Sequence, residues 1–264
     1  MPHVYWLMCI RTLFRSLIAL IVLAGGLRGE EKATLLIAAA SDLKFALLVF
    51  RKEQVIDVKV SYSSSGSLFA QNDNGAPFDL LLSADAKFPR RLIDSDKAEK
   101  ESLFQYARGH LVLWVTHSSR LDIAGSGLKS LLDASVRKIA IANPDVAPYG
   151  AAAVAAMKSA GVYDAVRGKL VLGENVAQAA QFIESGAADA GIIALSLALA
   201  PKLKEKGRFW EVPLDMFPPL EQAGVVRSGT TQRKAAMKLR EFLMSAAGRE
   251  VFRRYGFLLP DENR

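Results

Sequence analysis

The sequence predicts an α/β protein built from two successive rounds of strand and helix. Apolar runs of strand length alternate with segments whose apolar residues recur at helical spacing, and the connections between them are short. This alternation is typical of sheets whose strands run parallel. The chain has 264 residues, enough for two domains that each bury a core, and the two rounds resemble each other in plan.

The first round opens with Thr34 and an uninterrupted apolar run at residues 35–40, which is typical of a strand buried on both faces. Ser41 follows at the position of a helix N-cap, and Leu43 and Leu47 continue at helical spacing. The other predicted elements of this round are a strand at 58–62, a strand at 78–85, a helix over about 87–94, a strand at 111–115 and a loop at 125–127.

The second round repeats this plan and then returns to the first part of the molecule. Its predicted elements are a strand at 138–142, an alanine-rich helix from Pro148 through Met157, a strand at 169–172, a helix from Asn175 to about Glu184, strands at 190–195 and 223–226, and two closing helices at about 231–245 and 247–255. Pro213, Pro218 and Pro219 interrupt the chain before the last strand.

The N-terminal segment is typical of a secretory signal peptide. Arg11 and Arg15 precede an apolar core at about 17–24, and small residues separate this core from a charged stretch. The core is short for a membrane span. We therefore predict a signal peptide over 1–29, cleaved after Gly26 or Gly29, and a periplasmic product, with an uncleaved membrane anchor as the alternative.

Composition limits the classes of function. The single cysteine, Cys9, lies in the leader, so the mature chain is expected to have no disulfide and no thiolate metal site. The formal net charge of +7 suits long-range attraction of small anions. The basic residues near the C-terminus fit a solvated helix face and lack the interleaved aromatic residues of a nucleic-acid surface. We predict no nucleic-acid partner.

Four strand-to-helix junctions share one design, and they are centred on Ser41, Ser65, Tyr149 and Val176. Glycine follows Ser65 and lets the backbone approach a ligand. Pro148 suits the first helical position and leaves the Tyr149 N–H free, and Asn175 can cap a helix whose first free N–H belongs to Val176. Each junction alone is equally consistent with an ordinary helix start, but four that converge would form an anion site of neutral donors.

Six short motifs follow one another along the chain. They are Ala-Ala-Ala-Ser-Asp-Leu at 38–43, Ser-Ser-Gly-Ser-Leu at 64–68, Asp-Leu-Leu-Leu-Ser-Ala-Asp at 79–85, Asn-Pro and Ala-Pro-Tyr-Gly within 143–150, Glu-Asn-Val at 174–176 and Arg-Tyr-Gly-Phe at 254–257. With these motifs the chain, from about residue 33 to 259, resembles the periplasmic molybdate-binding proteins of molybdate ABC transporters.

The resemblance implies a two-lobed type II periplasmic binding protein fold, in which each lobe is a mixed sheet flanked by helices and the ligand lies in the interlobe cleft. Lobe one would comprise 33–108 and 220–264, and lobe two 109–219, with the hinge near 108–111 and 220–224. The resemblance also implies a monomeric receptor that is not an enzyme and has no cofactor. It would capture molybdate or tungstate and deliver it to a membrane permease.

Carried over residue by residue, the family's ligand contacts fall on five positions. Ser41 and Ser65 would bind the oxyanion through their hydroxyl and N–H groups, and Asp42 through its N–H. Tyr149 and Val176 would bind it through N–H groups from the second lobe. The metal atom would be held only through the oxygens of molybdate, with no bare cation site.

A site lined only by neutral donors discriminates among oxyanions by their protonation state. A buried protonated oxyanion would leave its O–H without an acceptor, so phosphate fits poorly, whereas fully ionised sulfate, molybdate and tungstate remain open. The Asp42 carboxylate is expected to turn away from such a dianion, to cap backbone or to pair with Lys44. Some family members use a tyrosine hydroxyl at the position of Ala194, and this chain lacks that donor.

Two alternatives stay open. A serine hydrolase would need a base beside Ser41 or Ser65, and after the leader only His110 and His117 remain, on either side of the predicted strand at 111–115. A binding protein of the same fold for sulfate or an organic carboxylate is the nearer alternative, although a carboxylate ligand favours an arginine clamp.

Overall fold

The computed structural model describes residues 34–53 and 57–262, which form two β-sheets with flanking helices. The predicted signal peptide lies outside the described residues. The strands are β1 (Leu35–Ala40), β2 (Val58–Ser63), β3 (Leu80–Ser83), β4 (Phe104–Gly109), β5 (Leu111–Thr116), β6 (Ile139–Ala142), β7 (Leu170–Gly173), β8 (Ala190–Ala194), β9 (Gly207–Glu211) and β10 (Leu220–Val226). The α-helices are α1 (Lys44–Glu53), α2 (Ser65–Asp73), α3 (Lys87–Asp94), α4 (Ile123–Ser126), α5 (Pro148–Ser159), α6 (Tyr163–Val166), α7 (Val176–Glu184), α8 (Leu195–Ala198), α9 (Pro201–Lys204), α10 (Arg233–Met244) and α11 (Ala246–Arg254).

Each sheet mixes parallel and antiparallel strands, and each forms the centre of one lobe. The first sheet has the order β2-β1-β3-β10-β4, with β10 antiparallel to both neighbours. The second has the order β7-β6-β8-β5-β9, with β5 antiparallel to both neighbours. The chain leaves the first sheet at His110, between β4 and β5, and returns between β9 and β10. The predicted α/β class with two mixed sheets is confirmed.

Strand β1 is buried on both faces, as its apolar run predicts, because helices cover the first sheet from either side. Ile37 and Ala39 pack in one cluster with residues of α1, α10 and α11. Ala38, which points the other way, packs with residues of α2 and α3. The second lobe has its own core, which includes the fully buried Trp114 of β5.

Some sequence-based expectations are wrong. The predicted loop at 125–127 overlaps α4, whose N-terminus is capped by the Asp122 carboxylate through a 2.9 Å bond from the Gly125 N–H. Strands β4 and β9 were not predicted, because charged residues such as Arg108 in β4 and Arg208 in β9 interrupt the apolar pattern. Within the described residues, no helix has both the length and the apolar character that crossing a membrane would need.

Candidate functional site

All five residues predicted for the site line one small cavity between the lobes. Ser41, Asp42 and Ser65 come from the first lobe, and Tyr149 and Val176 from the second. The other lining residues are Ala40, Ser63, Ser64, Ala84, Ala147 and Pro148. The cavity is small, about 10 Å³, and none of these lining residues is cationic. Any anion held here would therefore be bound by hydrogen bonds and helix ends.

Ser41 does not act as the predicted N-cap. The three-residue 3-10 turn Ser41–Leu43 separates β1 from α1, and its cap position is Ala40, with no side-chain capping bond. The Ser41 Oγ instead accepts a 3.3 Å hydrogen bond from the Ala177 N–H, across the cleft. Because the oxygen receives this bond, the hydroxyl proton is still available to donate into the cavity.

The second junction is organised in the same way. The N-cap of α2 is Ser64, whose Oγ accepts from the Ser67 N–H at 3.4 Å. Ser65 is the first helical residue and is buried, and its Oγ accepts a 2.9 Å bond from the Ala84 N–H. The Ser65 hydroxyl proton therefore also remains available for a ligand.

The two second-lobe junctions have the predicted helix starts. Pro148 is the first residue of α5, so the Tyr149 N–H belongs to the first turn, where helix geometry provides no intrahelical acceptor. The Asn175 Oδ1 caps α7 by accepting from the N–H groups of Ala177 and Gln178, at 3.1 Å each. This cap leaves the Val176 N–H, one position earlier, as the helix-end donor at the cavity.

Asp42 is buried, and burial raises the pKa of its carboxyl group to about 6, while hydrogen bonds from the Gln222 and Tyr149 side chains oppose the rise. The Gln222 Nε2 donates to the Asp42 Oδ2. Of the two roles expected for this carboxylate, capping of backbone is supported by its hydrogen bonds from the Asp42 and Leu43 N–H groups. The alternative, pairing with Lys44, is wrong, since the Lys44 side chain is exposed and does not act on the carboxylate. The Asp42 main-chain oxygen accepts a 2.8 Å bond from the Ser196 hydroxyl of the second lobe.

Sequence reasoning missed Gln222. This residue lies on β10 and is fully buried, and its Nε2 also donates to the Tyr149 Oη at 3.2 Å. A polar residue inside an apolar strand was the available signal, but its partner Asp42 is 180 positions away in the sequence. Ala194, where the family resemblance implies a tyrosine donor in some members, is buried at the end of β8 and is not among the lining residues.

Two mixed sheets, joined by two crossings and enclosing a donor-lined cavity, define a two-lobed solute-binding protein. The model of the bacterial extracellular solute-binding protein family matches residues 35–258. The chain belongs to this family.

The chain is also similar to individual molybdate-binding proteins. The protein named ModA from Rhodobacter capsulatus is 37% identical over 201 residues, which cover 76% of this chain and 77% of that relative. ModA from Azotobacter vinelandii is 36% identical over 208 residues, covering 79% and 81%. The solved structure of the periplasmic molybdate-binding protein of Azotobacter vinelandii superposes with a TM-score of 0.80 at 31% identity, covering 86% of this chain and 100% of that one.

Proposed function

We propose that this protein is an extracytoplasmic receptor that binds molybdate or tungstate between its lobes and delivers it to the permease of an ABC transporter. The observation that carries the proposal is the convergence of Ser41, Ser65, Tyr149 and Val176, from both lobes, on one cavity. The printed names of the relatives support molybdate as the ion. Export to the periplasm and action as a monomer belong to the same proposal.

The chemistry of the cavity supports a dianion as the ligand. The N-terminal turns of α2, α5 and α7 reach the cavity, and helix N-termini carry partial positive charge and free N–H groups. The serine hydroxyls add two donors whose oxygens already accept bonds from backbone. A cavity of about 10 Å³ leaves no room for a drug-sized organic ligand, which usually needs roughly 300–1,000 Å³.

The contacts of His110 support a binding role for the protein over hydrolysis. A nucleophilic serine needs a base that accepts its proton. His110 is occupied elsewhere, because its Nε2 lies 3.0 Å from the Val212 main-chain oxygen and its Nδ1 3.4 Å from a Glu211 carboxylate oxygen. We therefore propose that the protein is not an enzyme.

Ligand binding is proposed to stabilise the closed arrangement of two lobes. Lobe one is taken as residues 33–108 together with 220–264, and lobe two as residues 109–219. Donors from both lobes can contact one anion only when the cleft is shut, so the ligand shifts the equilibrium towards closure. Direct hydrogen bonds across the cleft, such as the 2.8 Å bond from the Gly66 N–H to the Val146 main-chain oxygen, also form only when the two lobes are in contact.

Gly66→Ala is expected to hinder closure. A Cβ at position 66 would lie 2.7 Å from the Val146 oxygen and 3.0 Å from its Cα, both main-chain atoms of the opposite lobe. We expect weaker molybdate binding and a smaller ligand-induced decrease in the radius of gyration by solution scattering. Gly168→Ala is the control, since a Cβ there meets nothing within 4 Å. Wild-type compaction and affinity in Gly66→Ala would contradict this closure model.

The ligand itself is tested by titrating the purified protein, without its leader, with molybdate, tungstate, sulfate and phosphate by calorimetry and thermal shift. We expect tight binding and a raised Tm with molybdate and tungstate, because saturating ligand stabilises the state that binds it. Phosphate is expected to bind weakly. Equal affinity for sulfate would refute the specificity, and no binding of any of the four ions would refute the receptor class.

A further inference from the structure

We propose that Gln222 is a positioning residue that holds the Asp42 carboxylate away from the bound oxyanion and thereby makes the cavity fit for a dianion. The inference rests on the proposed function, since it concerns how that same cavity tolerates its own acidic residue. Asp42 lines the cavity, and none of the lining residues carries a positive charge that could balance its carboxylate.

The Asp42 carboxylate is directed away from the cavity. Its Oδ2 accepts from the Nε2 of Gln222, a residue of β10 that is 0% exposed and is not among the cavity-lining residues. A bond to a partner behind the cavity wall directs the carboxylate into the protein interior. The register of β10 against β4 shifts between Gln222 and Ala223, and such a bulge re-aims the side chains beside it.

Gln222 contacts side chains from both sides of the cleft. Its Nε2 also donates to the Tyr149 Oη at 3.2 Å. The Tyr149 hydroxyl packs closely against Gly109, because a Cβ added to that glycine would lie only 2.3 Å from the Tyr149 Oη. One amide thus fixes the side chains of two lining residues, Asp42 from the first lobe and Tyr149 from the second.

Loss of the Gln222 amide has an electrostatic consequence for the bound anion. Two like charges repel strongly in a site shielded from water. The Asp42 Oδ1 is buried and has no hydrogen-bonding partner among the described residues. Of the hydrogen bonds that act on the carboxylate, the one from Gln222 is the largest, ahead of those from Tyr149 and the backbone. Without the Gln222 bond, the carboxylate is held less firmly away from the anion, and oxyanion affinity falls.

The test compares molybdate affinities in a double-mutant cycle. Gln222→Leu is expected to weaken binding roughly ten- to a hundredfold, the range for a lost hydrogen bond to a charged group. In an Asp42→Asn background, where no carboxylate remains to be held, the same substitution is expected to change affinity less than about threefold. A purely structural role of Gln222 would give the same loss in both backgrounds.

Two further variants keep the test decisive. Gln222→Glu preserves the size of the side chain but removes the donor, and it is expected to lower molybdate affinity. Adding Asp42→Asn is expected to restore the affinity, because the new amide can donate to the new carboxylate. Asn72→Leu removes another buried amide of the first lobe, which donates to the Leu68 oxygen at 2.8 Å, and is expected to lower Tm with unchanged molybdate affinity.

The outcomes separate this inference from the proposed function. A wild-type protein that binds none of the oxyanions overturns both. A wild-type protein that binds molybdate, together with Gln222 variants of wild-type affinity or a loss that persists undiminished in the Asp42→Asn background, overturns the role of Gln222 alone.

Discussion

Replacing Ser41 and Ser65 with alanine is expected to weaken molybdate binding by roughly 1–3 kcal/mol for each serine, about 5- to 150-fold. Each hydroxyl oxygen already accepts a backbone N–H, so each proton is available to donate to the anion. A buried dianion that loses such a donor keeps an unpaired oxygen. Calorimetric titration of the two single variants and the double variant measures the effect.

The two substitutions are expected to differ in their effect on stability. Ser65→Ala removes the acceptor of the buried Ala84 N–H, which costs roughly 1–3 kcal/mol in the free energy of unfolding. Ser41→Ala is expected to leave that free energy nearly unchanged, because the Ala177 N–H keeps the Asn175 Oδ1 as a second acceptor. Urea unfolding without added oxyanion distinguishes the two.

Ser102→Ala is the matched control. Ser102 is a fully buried serine of the first lobe whose Oγ accepts the Val226 N–H at 2.9 Å, the same kind of bond as in Ser65, but it does not line the cavity. We expect Ser102→Ala to lower stability and to retain molybdate affinity. If the Ser41→Ala, Ser65→Ala double variant bound molybdate as the wild type does, both serines would be structural residues only.

Asp42→Asn is expected to be more stable than the wild type at pH 8, by about 3 kcal/mol, when no oxyanion is bound. Burial raises the pKa of Asp42 from its ordinary 3.8 to about 6, and each pKa unit corresponds to about 1.4 kcal/mol. Because the folded state holds this proton more tightly than the unfolded state, the contribution of the protonated group is complete below about pH 4. It is lost as the pH rises through about 6.

Urea unfolding of both proteins between pH 4 and pH 8 measures the difference. The stability gap is expected to open as the pH rises and to vanish near pH 4. Asp79→Asn is the control, because the Asp79 carboxylate accepts from the Leu36 N–H at 2.8 Å and from the Thr230 hydroxyl at 2.5 Å, so its removal is expected to destabilise. A gap between Asp42→Asn and wild type that does not change with pH would contradict the buried, titrating carboxyl group.

The short-range features of the site could be predicted from sequence because local chemistry sets them. Pro148 has a fixed backbone angle and no N–H, and Asn175 carries a side chain that can accept from the turn after it, so each favours a helix start at its own position. The apolar run of β1 requires a strand covered on both faces. These residues determined the α/β plan and the positions of the second-lobe donors.

The tertiary structure alone decided which distant groups became partners. The Ser41 hydroxyl was expected to cap its own turn, but it meets the Ala177 N–H, 136 positions away. The Asp42 carboxylate meets Gln222, 180 positions away. Such contacts depend on the order of the strands and on where the chain crosses between the sheets, and both are set by the sum of many packing interactions. No residue pattern near Ser41 or Asp42 encodes them.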